Sequence, residues 1–157
     1  MNILSNDRNG TSVFAERVQK NLEFIALAAE QGKDVHPVTQ AISALGIIVF
    51  PWERSAFDLI KRKNLPVLVA DNNWPQWHMS GTKRIVKVND LVHVLRNCIA
   101  HGQIEFDSDS RDPAEVTITF SHPPKGKAKA DWEGRIRADR LIYFCRCFAA
   151  AMKAHVG

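Results

Sequence analysis

One stretch constrains the fold more than any other: Asp90 to Gly102, D-L-V-H-V-L-R-N-C-I-A-H-G. Leu91, Val94, Leu95 and Cys98 recur at steps of three and four, the spacing of a single buried face on an α-helix. Gly102 stands where a left-handed residue commonly stops a helix. A chain built on this pattern needs other helices to cover that face. Beside the apolar stripe runs a polar one. Asn97 and His101 are four apart and stand one above the other, Arg96 lies about 100° round the axis, and His93 adds a further turn.

This grouping has a chemical use. A neutral imidazole takes a proton from a hydroxyl or gives one to a leaving oxygen near neutral pH. A guanidinium offsets the charge that develops on a phosphate in flight. In RNA the nucleophile is already present as the ribose 2′-hydroxyl, so cleavage needs only acid-base help, charge stabilisation and an in-line backbone. Each residue also has a structural explanation. The helix dipole favours His in a last turn, Gly is the usual stop, and an Arg on a helix is most often a solvated charge.

L-R-N-C-I-A-H-G-Q-I-E-F resembles the signature of the HEPN superfamily, the higher eukaryote and prokaryote nucleotide-binding helical domains. There an Arg and a His stand four to six residues apart, with a polar residue, often Asn, straight after the Arg. Here four residues separate Arg96 from His101, and Asn97 takes the polar position. H-P-V-T-Q-A-I-S-A-L-G-I-I-V-F-P-W-E and the final helix look like the scaffold of small bacterial and plasmid-borne members. The resemblance implies an all-α bundle that dimerises, brings two motifs together across a two-fold axis and, in active members, cuts RNA without metal.

With 157 residues the chain suits one domain, long enough to bury roughly 70% of its unfolded surface. A hydrophobic fraction of 45% excludes a disordered tail protein. The net charge of +4 and pI of 9.1 permit a polyanionic partner without requiring one. The chain shows no long apolar run and no signal-peptide pattern at its start, so a cytoplasmic location and no membrane contact are expected. The three cysteines, Cys98, Cys145 and Cys147, read as small apolar filler in a reducing compartment. No C-x-x-C or H-x-x-x-H pair suggests zinc, and no cofactor is expected.

Residues 1–10 read as an irregular lead, and Thr11 or Ser12 as the cap of a first helix marked by Phe14, Val18, Leu22, Ile25 and Ala29 and reaching nearly to Gly32. Pro37 suits the first turn of a second helix, apolar on nearly every side from Val38 to Phe50 and ended by Pro51. Gly46 within it points to a close helix crossing or a subunit contact. Trp52 to Lys63 suggests a short helix. Asn64 to Arg84 reads as a long connection, in which Trp74 and Trp77 either stack on a base or plug the bundle or a dimer contact.

After the motif, Ile104 and Phe106 match the alternating Val116, Ile118 and Phe120 as the two arms of a hairpin. Glu105 is either a carboxylate that orients His101 or a solvated strand residue. S-H-P-P-K-G-K-A-K-A reads as a basic loop; Lys125, Lys127, Lys129 and Arg135 are candidate contacts to an RNA backbone, as is His93, or else keep the protein soluble. Ile136, Leu141, Phe144, Phe148 and Met152 give the last helix its buried face.

The expected architecture is therefore all-α: one domain over residues 1–157, a four-helix-type HEPN bundle with a small β-hairpin before the last helix. The expected protein is a homodimer and a metal-independent endoribonuclease in a toxin-like or phage-defence setting, where an antitoxin protein is a further partner. Its catalytic residues would be Arg96 for the developing charge, His101 as general acid or base, and Asn97 to hold the scissile phosphate or the imidazole. The alternative is a non-catalytic helical dimer that binds RNA, nucleotide or a partner protein.

Overall fold

The computed structural model describes residues 8–33, 36–49, 58–122 and 129–154. Among the described residues, six α-helices and four strands follow in order, with a 3₁₀ turn at Pro113–Glu115 between β2 and β3: α1 (Arg8–Glu30), α2 (Pro37–Val49), α3 (Asp58–Lys61), α4 (Leu65–Asp71), β1 (His78–Gly81), α5 (Val88–Ala100), β2 (Ile104–Phe106), β3 (Thr117–His122), β4 (Trp132–Arg137) and α6 (Ala138–Ala154). The strands form an antiparallel sheet in the order β1-β4-β3-β2. This overturns the all-α expectation. Helices α1, α2, α5 and α6 pack together, and α5 and α6 lie against the sheet.

The expected hairpin exists: Ile104 pairs with Phe120 and Phe106 with Ile118. It is half of a larger sheet, because β4 lines up along β3 with Ile118 opposite Ile136 and Phe120 opposite Gly134. Ile136 thus belongs to a strand and not to the last helix. Within β4, Trp132, Gly134 and Ile136 are buried, and the residues between them turn outward. A side chain at Gly134 would run into the Trp132 ring, so the period-two pattern there includes a residue with nothing to show.

The region read as a long connection holds α4 and β1. Asn64 caps α4 by accepting from the Val67 amide at 3.1 Å, and Pro66 lies in its first turn. β1 adds itself to the sheet edge by pairing His78 with Arg135 and Gly81 with Trp132. Trp74 and Trp77 are buried. Trp74 meets Phe144 edge-on at 5.5 Å, and Trp77 reaches both Phe120 and Phe144 at 5.6 Å, joining sheet to α6. They fill the core, which leaves neither ring exposed for stacking on a base.

α1 begins at Arg8, earlier than the irregular lead allowed. α2 supplies Val38, Ala41, Leu45 and Val49 to the core; Phe50 and Pro51 lie outside the described residues. A Cβ on Gly46 would meet nothing within 4 Å, so among the described residues no helix crosses closely there. Leu141, Phe144, Phe148 and Met152 of α6 are fully buried, as their spacing requires. Among the described residues no helix is long and apolar enough to cross a membrane.

Candidate active site

α5 owes its start to Asp90, whose carboxylate accepts from the Val86 amide at 3.1 Å and the Lys87 amide at 2.9 Å. Leu91, Val94, Leu95 and Cys98 are all buried, as expected of the stripe. The helix ends in a Schellman turn. Gly102 adopts φ 66°, its amide donates to Ile99 O at 3.2 Å, and the Gln103 amide donates to Cys98 O at 2.8 Å. His101 is the C-cap residue and is exposed, with its amide bonded to Asn97 O at 3.1 Å.

Arg96 and Asn97 are half-buried one turn earlier, and His93 is exposed on the same helix. The three motif residues therefore share one helix end, beside the start of β2. Two recesses of about 230 and 720 Å³, lined by Leu22, Pro37 and Ile142 and by Leu65, Trp77 and Met79 respectively, are built without them. His93 and His101 are exposed at this end, and Arg96 and Asn97 are partly covered.

The structure adds two residues to this end that sequence reasoning missed. Pairing between β2 and β3 continues past Ile104 through the Ser121 amide to Gln103 O at 3.1 Å, bringing His122 beside the end of α5. Asn97 Nδ2 lies 3.2 Å from His122 Nε2, and His122 Nδ1 lies 2.6 Å from Asp131 Oδ1. Partial burial pushes the Asp131 carboxyl up, but the hydrogen bond and charge of His122, with Lys83 nearby, outweigh it and hold the group below its ordinary range. Cys98 makes a second tie, its thiol donating to Ser121 O at 3.1 Å; burial pushes that thiol up to about 12.

Ser121 and His122, the first two residues of the stretch S-H-P-P-K-G-K-A-K-A, end β3 and do not open the loop. The signal available was His122 two positions after Phe120, in step with the alternation of Val116, Ile118 and Phe120.

Other candidates fall elsewhere. Arg135 is exposed on β4, on the sheet face turned away from α5, and its guanidinium is held by Glu133 at 2.9 Å. It is not brought to the motif. Glu105 shares that outer face opposite Thr119 and makes no described hydrogen bond to His101, so it behaves as a solvated strand residue. Lys129 is exposed two residues before Asp131. Lys125 and Lys127 lie outside the described residues.

Comparison with known families matches residues 1–157 to the family described as HEPN pEK499 p136. The chain belongs to this HEPN family. The assignment agrees with R-N-C-I-A-H-G closing α5, and it covers the sheet as well as the helices. No curated protein and no solved structure matches the chain. HEPN membership supports a nuclease-like or RNA-related function for the chain in broad terms.

Proposed function

We propose that this HEPN protein is a metal-independent endoribonuclease acting at a composite site between two copies of the chain, in a toxin-like or phage-defence setting. The observation that carries the reading is the end of α5: an exposed His101 on the cap, with Arg96 and Asn97 half-buried one turn behind. The 2′-oxygen attacks phosphorus, the 5′-oxygen leaves, and the products are a 2′,3′-cyclic phosphate and a 5′-hydroxyl. One proton leaves the 2′-hydroxyl and one reaches the departing oxygen. His101 serves one of these transfers and the partner copy's imidazole serves the other. Arg96 offsets charge on the phosphoryl oxygens, worth most where a second chain excludes water. His93 and Lys129, both exposed, together with Lys125 and Lys127, are proposed to contact the RNA backbone. An antitoxin protein that covers the same end would silence it.

The test is end-labelled RNA incubated with purified protein in excess EDTA, comparing wild type with Arg96→Ala and His101→Ala. Cleavage by wild type alone, leaving 2′,3′-cyclic ends, supports the reading; intact RNA with a folded dimer removes it. A second reading, a non-catalytic HEPN dimer that binds RNA, nucleotide or a partner protein, is favoured by one observation. The Asn97 amide is committed to His122, as a residue kept for structure would be.

A further inference from the structure

The His122 and Asp131 pair lies outside the motif, and none of the chemistry above uses it. Its bonds have a direction. A carboxylate has no proton to give, so at 2.6 Å from Asp131 Oδ1 the hydrogen is on His122 Nδ1. In its neutral form the ring then has a lone pair at Nε2, and the atom 3.2 Å away is the amide nitrogen of Asn97, which can only donate. Asn97 therefore donates to His122, His122 donates to Asp131, and the Asn97 oxygen is turned away from the ring. Because Nε2 is taken up by Asn97, His122 is not itself placed to exchange a proton with substrate.

Asp131 is fixed from the backbone. Its amide donates to His122 O at 3.0 Å, and its carbonyl accepts from Thr82 at 2.9 Å and Lys83 at 3.0 Å. Gly81, at φ 107°, approaches so closely that a Cβ would overlap the Asp131 carbonyl. The order of constraint runs from β1 through Asp131 and His122 to the motif asparagine.

We propose that His122 and Asp131 are positioning residues of the α5 site: they lock the Asn97 amide so that it offers its oxygen, an acceptor suited to a ribose hydroxyl, in place of a donor suited to phosphate. The part concerning ribose rests on the ribonuclease reading; the locked amide does not. Long-range ¹H–¹⁵N spectra of the full-length protein should show His122 as the Nδ1–H tautomer in wild type and as the Nε2–H tautomer in Asp131→Leu, where Nδ1 has lost its acceptor.

In the RNA assay, Asp131→Leu and His122→Leu should lower kcat by about tenfold or more with little change in KM, as expected when a reacting group is misplaced by a fraction of a bond length. His122→Gln, whose side-chain oxygen can accept from Asn97, should restore most of the rate. Two results overturn the proposal: an Nε2–H tautomer in wild type, or a kcat untouched in both leucine variants. If wild type cuts no RNA, the ribonuclease reading fails and the tautomer spectra still decide whether the amide is locked.

Discussion

Two helices of this protein stop in the same way and lead to different places. α1 ends at Gly32 with φ 70°, and α5 ends at Gly102 with φ 66°. In both, the glycine amide turns back to the carbonyl three residues earlier, and the next amide to the one five earlier: Gly32 to Ala29 and Lys33 to Ala28, Gly102 to Ile99 and Gln103 to Cys98. Neither glycine has a neighbour within 4 Å of where a Cβ would stand. After Gly32 the next residue, Lys33, is exposed. After Gly102 it pairs at once with β3, which delivers His122 to Asn97 and Ser121 O to Cys98. A helix end is common property; a helix end gripped by a strand is a place where side chains can be held to a geometry.

The largest test of this contrast is His101→Ala, which should cut RNA cleavage by about 10²- to 10⁴-fold, the usual share of acid-base catalysis. Gln31→Ala, at the equivalent cap position of α1, should leave cleavage unchanged. Both side chains are exposed, so thermal unfolding should be little altered in either. Equal loss in the two variants would break the comparison.

Gly32→Ala and Gly102→Ala sharpen it. Each forces an L side chain into the left-handed region, with an expected cost of about 1–2 kcal/mol in urea unfolding. Only Gly102→Ala should also slow cleavage, because it displaces His101 next to it.

Cys98→Ala removes the thiol tie to Ser121 O and should cost about 1 kcal/mol. With its thiol pushed up to about 12, Cys98 is protonated at neutral pH, and a disulfide reagent at pH 8 should label it only after unfolding. Rapid labelling in the folded protein would show that the strand does not hold this end closed.

The smallest effect concerns acid. The folded state holds Asp131 below the ordinary carboxylate range. Its contribution to stability is therefore fully present above the unfolded value, about 4, and is lost as pH falls through the lower folded one. Acid titrations followed by circular dichroism should show Asp131→Leu starting less stable at neutral pH and losing less than wild type on acidification. Parallel curves would mean that His122 does not stabilise the carboxylate.

Much of the α5 end was readable in the chain. The stripe of Leu91, Val94, Leu95 and Cys98, the stop at Gly102 and the alternation of Val116, Ile118 and Phe120 are short-range patterns, and each element forms where its pattern lies. Asn64 and Pro66 marked the start of α4 equally well, but the helix has only seven residues. β1 had no pattern to read. All four of its residues are exposed, so no buried face imposes an alternation, and its partner is more than fifty positions away. β4 hid its alternation at Gly134, where the inward position is filled by the ring of Trp132.

The sequence by itself determined the helix that carries Arg96, Asn97 and His101, the way it stops, and the family to which the chain belongs, because side-chain periodicity and glycine's left-handed preference act within a few residues. Only the tertiary structure decided that a four-stranded sheet stands beside that helix, and that Asn97 meets His122, which in turn meets Asp131. The first contact spans 25 positions, and through the second Asn97 is linked to a residue 34 positions away. They depend on antiparallel pairing, whose register is set by which faces are buried against the helices, and no local stretch of chain contains that information.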